Sequence, residues 1–180
     1  MKVTDDELRL IVWTVMDGCL VKRKYKTIEK EKVHHIQFKL SKQRKINYLR
    51  KLLDFSGVPY TFKLCKKTGL NKLQPYYIRI YGDVSRRISE HFLDSVKELP
   101  EWFLDLTKKQ FKVILSMVAI TDGSKSYLKY VWSTTSKNDY DIIRTMCGIH
   151  GTKYVDYGEY KGKSGFKNAK TQYHMGFYLW

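Results

Sequence analysis

The stretch LRLIVWTVMDG, Leu8 to Gly18, decides how the rest of the chain is read. Its apolar spacing predicts a helix that ends on an acid, Asp17, with a glycine directly after it. FKVILSMVAITDG, Phe111 to Gly123, repeats the design and ends on Asp122. Each helix opens with the letters of a capping box, Thr4 with Glu7 and Thr107 with Gln110. An acid at a helix C-terminus sits beside the partial negative charge of the last carbonyls, which repel it. Taken singly, Asp-Gly is also a favoured turn pair. Its recurrence at equivalent points suggests a cation shared by both acids.

Composition narrows the partner. The chain has 180 residues and a formal charge of +16, from 34 Lys and Arg against 18 Asp and Glu. That excess points to a polyanion. Residues 1–100 hold 22 basic and 11 acidic groups, the remainder 12 and 7, so the first half is expected to make more phosphate contacts. Fourteen tyrosines interleaved with lysines suit a nucleic-acid surface better than a membrane. No apolar run reaches the ~18 residues of a spanning helix, and the first residues are too acidic and polar for a signal peptide. Three widely spaced cysteines, Cys19, Cys65 and Cys147, suggest free thiols in a reducing, intracellular compartment. None of them has the paired spacing of a zinc site.

Working outward from Gly18, CLVKRKYK alternates and is predicted to set Lys22, Lys24 and Lys26 on one strand face. In VHHIQFKL, Ile36, Phe38 and Leu40 face inward while His35, Gln37 and Lys39 face outward. His34 and His35, as strand neighbours, are expected on opposite faces. A helix from Ser41 carries Ile46, Leu49, Leu52 and Leu53 as its apolar face and closes at Ser56-Gly57. PYTFKLCKK is expected to bury Phe62 and Leu64 and expose Lys63; LQPYYIRIYG buries Ile78 and Ile80 and exposes Tyr77, Arg79 and Tyr81. Asp83 is read as the cap of a closing helix.

The second half repeats the plan. DGSKSYLKYVWSTT gives one or two strands, and SKNDYDIIRTMCGIHG matches SKQRKINYLRKLLDFSG, aligning Lys137 with Lys42. KYVDYGEYKG and TQYHMGFYLW are the last strands, with Lys125, Tyr154 and His174 as outward candidates. Each copy is helix, two strands, helix, two strands: an α+β duplication with boundaries expected at 1–98 and 99–180, the second copy shorter and without a closing helix.

Twisted antiparallel sheets are concave and β-ribbons enter the major groove, so two basic sheets predict a pseudo-two-fold saddle on double-stranded DNA. The first helices are expected to pair at the pseudo-axis and bring Asp17 near Asp122. Paired carboxylates repel unless protonated or metal-bound. Oxygen ligands select Mg²⁺, with Mn²⁺ as a substitute, and metal-bound carboxylates beside a phosphodiester suit its hydrolysis. The DNA-facing set is then Lys22, Lys24, Lys26, His35, Gln37, Lys39, Lys63, Tyr77, Arg79, Lys125, Tyr154 and His174; a solvated edge-strand face is the competing reading.

LRLIVWTVMDG and LSMVAITDG, with HIQFKLSK, STTSKND and KELPEWFLDLTKKQ, resemble the LAGLIDADG (dodecapeptide) homing endonucleases, in that family's order along almost the whole chain. The resemblance implies tandem αββαββ repeats, major-groove readout and cleavage of both strands by a monomer. It implies Asp17 and Asp122 as metal-binding acids, and Lys97, in Lys-x-x-Pro, as an active-site lysine. Lys42 matches a position near the cleaved phosphate, with Lys137 as its counterpart. Where the family packs small residues between its paired helices, this chain has Val12, Met16, Met117 and Thr121, so Thr14 and Ala119 are the candidate small contacts. The same basic surface also suits a maturase bound to its own intron RNA, or a DNA-binding protein that no longer cuts.

Overall fold

The computed structural model describes residues 3–23, 32–66, 73–92, 97–160 and 170–179. The chain divides into two compact units, Met1–Lys97 and Glu98–Trp180. Among the described residues no helix is long and apolar enough to cross a membrane.

In the first unit, helix α1 (Asp5–Asp17) runs without a linker into β1 (Gly18–Arg23), followed by β2 (Lys32–Leu40), α2 (Gln43–Phe55), β3 (Tyr60–Leu64), β4 (Tyr76–Tyr81) and α3 (Gly82–Ser89). The strands form one antiparallel sheet in the order β1-β2-β4-β3. Alternation dictates its two faces. Ile36, Phe38, Leu40, Ile78 and Ile80 are buried with Leu49 and Leu53 of α2; burying one such side chain contributes about 2 kcal/mol. Helix α1 starts where the capping box predicts: the Thr4 hydroxyl accepts from the Glu7 N–H at 3.2 Å, and Glu7 reaches back to the Thr4 N–H at 3.1 Å.

Two expectations fail at the margins of this sheet. Phe62 is 38% and Leu64 66% exposed rather than buried, because β3 is an edge strand. Phe62 instead stacks on Tyr76, ring centroids 4.8 Å apart, with the Arg50 guanidinium 4.7 Å over its ring. Asp83 does not cap α3; Tyr81 is the N-cap and Asp83 lies in the first turn, paired with Arg86.

The second unit opens with a 3-10 helix (Glu101–Asp105), then α4 (Lys108–Thr121), β5 (Ser124–Ser126), β6 (Lys129–Thr134), α5 (Lys137–Ile149), β7 (Tyr154–Tyr160) and β8 (Gln172–Phe177). Its sheet order, β5-β6-β8-β7, repeats that of the first unit. Trp132, Met175 and Phe177 are buried with Ile143 and Met146 of α5. Helix α4 has the second capping box, Thr107 with Gln110.

The helix ends fix how the copies align. Val58 N–H donates to the Leu53 carbonyl and Gly57 N–H to Asp54, with Gly57 at φ +62°. Thr152 to Cys147 and Gly151 to Gly148 repeat this closure, with Gly151 also at +62°. In that register the N-cap Lys42 corresponds to the N-cap Ser136, and Lys137 corresponds to Gln43. Lys137 is therefore not the counterpart of Lys42, although both follow a serine.

Candidate functional site

The acid at the end of α1 is held by its own protein. Lys45 Nζ donates to both Asp17 carboxylate oxygens, at 2.6 and 2.9 Å. The lysine side chain is 9% exposed and the aspartate 19%. Sequence reading missed Lys45, although its spacing carried a signal: 45, 49, 52 and 53 lie on one helical face, so this lysine sits in an otherwise apolar stripe. A buried ammonium there needs a carboxylate partner. The acid at the helix C-terminus thus already has a cation, and the expected misplacement is answered within the first unit. Lys97 joins the same point, donating from Nζ to the Gly18 carbonyl at 2.7 Å.

Gly18 and Gly123 are glycine for a steric reason. A Cβ on Gly18 would meet the Thr14 backbone at 2.7 Å; one on Gly123 would meet that of Ala119 at 2.7 Å. The chain turns from helix to strand so sharply that only a hydrogen fits against the preceding turn. Both approaches are to backbone atoms, and Thr14 donates its hydroxyl back to the Leu10 carbonyl at 2.7 Å. Asp122 is the exposed C-cap of α4, its N–H donating to Val118. The helix position that supplies Lys45 in the first unit holds Asp139 in the second. Asp139 is 3% exposed and accepts from the Leu99 N–H at 2.7 Å. Of the other lysines, Lys42 is exposed and makes no side-chain cap, while Lys137 pairs along its own helix with Asp141, which raises its pKa.

The open face of the first sheet assembles most of the expected set. His35 pairs with Tyr81, Gln37 with Arg79 and Lys39 with Tyr77 across β2 and β4, and β3 adds Thr61 and Lys63 opposite Arg79 and Tyr77. Arg79 Nε donates to Gln37 Oε1 at 2.7 Å, and its guanidinium lies 5.0 Å over the Tyr77 ring. Lys22 does not join them. Cys19 and Val21 oppose Gln37 and His35, so Lys22 falls in the alternate phase, opposite Val33. Lys24 and Lys26 lie outside the described residues.

The register shift between Val21 and Lys22 leaves His34 as an extra residue on β2. It brings the His34 and His35 rings within 5.3 Å of each other, both beside Tyr81, rather than on opposite faces. Burial, reinforced by His34 and Arg79, lowers the pKa of His35.

In the second sheet the open face is different. Ser133 pairs with His174, their Oγ and Nδ1 2.8 Å apart, and Val131 pairs with Gly176. Tyr157 lies against Gly176 and accepts a hydrogen bond from Lys129. The structure does not bring Lys125 and Tyr154 to His174. Both fall in the phase of Tyr130 and buried Phe177, on the other face. Ser133, Lys129 and Tyr157 are the face residues that sequence reading missed. The three cysteines are free, as expected from their spacing, and burial pushes the Cys147 thiol up to about 12.

No protein-family model matches this sequence, and no curated protein matches it either. Solved structures do. I-DmoI in complex with DNA and Mn aligns with a TM-score of 0.63 at 13% identity, over 97% of this chain and 90% of that one. I-WcaI bound to its DNA recognition sequence aligns at 0.62 and 15% identity, over 99% and 78%. Full-length DUF199/WhiA from Thermatoga maritima aligns at 0.53 and 13% identity, over 97% of this chain and 52% of that one. The structural neighbours of the chain thus include LAGLIDADG homing endonucleases, and its two α+β units have their fold.

Proposed function

We propose that this chain is a divalent-metal-dependent endonuclease that cuts double-stranded DNA at a specific site, with Asp17 and Asp122 as its metal-binding acids. One observation carries the reading: in both units a carboxylate closes the first helix within one glycine of the first strand of a four-stranded sheet, Asp17 directly before β1 and Asp122 separated from β5 by Gly123. The open face of the first sheet is basic and aromatic, which suits phosphate and base contact. The I-DmoI and I-WcaI neighbours, as complexes with DNA and in the former case with Mn, support DNA and a divalent ion as partners.

The donors fit a hard cation. Among the described residues no three His, Cys, Asp or Glu side chains cluster as a metal cage. Mg²⁺ suits such sparse sites, because it keeps several waters and takes one or two carboxylates plus substrate phosphate. When bound, the ion supplies Lewis acidity and charge neutralisation at the phosphodiester. The protein's own part is to present the acid and place positive charge. Asp17 and Asp122 would hold the ion, and Lys45, which donates to both oxygens of Asp17, would set a positive charge beside the phosphate. Lys97, on the Gly18 carbonyl, keeps a second ammonium one residue from the acid, and Lys42 adds a third charge at the start of α2.

The test uses duplex DNA rebuilt from the sequences flanking the gene, joined as an uninterrupted site. The wild-type protein should cut both strands with Mg²⁺ or Mn²⁺. Asp17→Asn and Asp122→Asn should each lower the rate by ~100-fold or more while retaining the DNA. Wild-type protein that retains this DNA without cutting it would refute the nuclease reading. That outcome would favour a second one, a sequence-specific DNA-binding protein, which the Lys45 clamp on Asp17 supports.

A further inference from the structure

The turn between β5 and β6 departs from hairpin chemistry. Ser126 pairs with Lys129, leaving Tyr127 and Leu128 as a two-residue loop. Such loops favour Gly, Asn or Asp because one or both central residues have positive φ. Tyr127 has φ +54°, the one positive value on a non-glycine among the described residues. Holding a tyrosine there costs about 1 kcal/mol. The tip is also apolar where water should be met by polar groups: Tyr127 is 89% exposed and Leu128 72%. Neither side chain contributes to the core, so a backbone cost at Tyr127 and a solvation cost at both residues have no return inside the fold.

The surroundings indicate what would reward both. Lys125 is exposed on the strand entering the turn, and Lys129, on the strand leaving it, lies 5.1 Å over the Tyr157 ring and donates to its hydroxyl. An apolar tip between two cations matches duplex DNA, with phosphates outside and stacked bases within. Proteins that kink DNA push leucine- or phenylalanine-like side chains between base steps while basic groups hold the backbone. We infer that the β5–β6 tip is a wedge: Tyr127 and Leu128 part a base step, and Lys125 and Lys129 contact the phosphates beside it. The inference rests on the DNA reading above and is specific to this hairpin.

Parting a base step unwinds DNA, and unwinding can be counted without knowing the target. Closed-circular plasmid is incubated with the protein at low salt in EDTA, relaxed with a type IB topoisomerase, and stripped of protein. The wild-type protein should leave the plasmid with a lowered linking number. The double variant Tyr127→Gly, Leu128→Ser places glycine where the backbone needs it, so its thermal midpoint should equal or exceed that of the wild type. It should retard the plasmid at least about fivefold more weakly, the low end of one base–aromatic stack, and leave the linking number of free plasmid. Wild-type protein that retards the plasmid without changing its linking number overturns the wedge and leaves the DNA reading intact. So does a double variant that unwinds as the wild type does. Wild-type dimers that the double variant dissolves, with no change in unwinding, would make the tip a contact between copies instead. No retardation at all, even at low salt, would defeat the DNA reading and the wedge together.

Discussion

The two sheets share one strand order and expose different chemistry. The open face of the first carries Lys39, Lys63 and Arg79, with Gln37 and Tyr77 among them. At the matching registers the second has Ser133, Gly158 and Gly176, with Val131 and His174. The helix arginines show the same divergence: Arg50 lies over the Phe62 ring, whereas Arg144 pairs with Asp156 at 3.3 Å. A duplicated scaffold has kept its backbone and allowed each face its own partner chemistry. The first face is dominated by cations and aromatic rings, and the described residues of the second carry one cation, Lys129, among smaller and hydrogen-bonding groups.

That contrast can be broken most directly with salt. Replacing Lys39, Lys63 and Arg79 together by Ala should weaken DNA binding roughly a hundredfold at 0.1 M salt and flatten the log Kd against log [salt] slope by about 3; Lys129→Met alone should change it by about 1. Equal slopes would show that the faces share the electrostatic work. Next in size is Asp139→Ala, which strands the Leu99 N–H and should cost about 2 kcal/mol, read as a lower urea midpoint for the second unit. Lys45→Met frees Asp17 from its ammonium. Calorimetric titration with Mn²⁺, without DNA, should show about tenfold tighter binding; unchanged affinity would mean that the clamp does not compete with the ion.

The smallest effect is a pH dependence of the first unit. His35 and His91 have pKa values lowered by burial. The unfolded chain therefore takes up protons first as pH falls through 6.5, and stability declines from there down to the folded-state values, below which it levels off. Urea midpoints at pH 7.5 and 5.5 measure this, and His35→Gln should reduce the difference.

Much of this was legible because local rules act on neighbouring residues. The capping boxes at Thr4 and Thr107, the helix ends at Asp17 and Asp122, and the face joining Gln37, Lys39, Tyr77 and Arg79 all follow from short-range periodicity. What escaped depends on partners distant in sequence or on interrupted alternation. Lys45 finds Asp17 across the fold, so its burial reads as an anomaly and not as a pair. The shift at Val21/Lys22 and a second between Asp156 and Gly158 insert residues that alternation cannot announce, and β5, three residues long, is too short to fix the phase of Lys125. Phe62 and Leu64 alternate like core residues; nothing local says that β3 lies at an edge. Ser-Lys dipeptides misled the alignment of Lys137 because similar letters outvoted the Gly57 and Gly151 helix ends.

The glycine junctions after Asp17 and Asp122 have a consequence for engineering. With at most one glycine between acid and strand, and a hydrogen packed on the previous helical turn, each acid is indexed to its sheet as a tooth is to its gear. Side chains on the open faces can be rewritten one at a time without resetting the position of either carboxylate. An insertion or a larger residue at Gly18 or Gly123 would shift every downstream strand position relative to the acid at once.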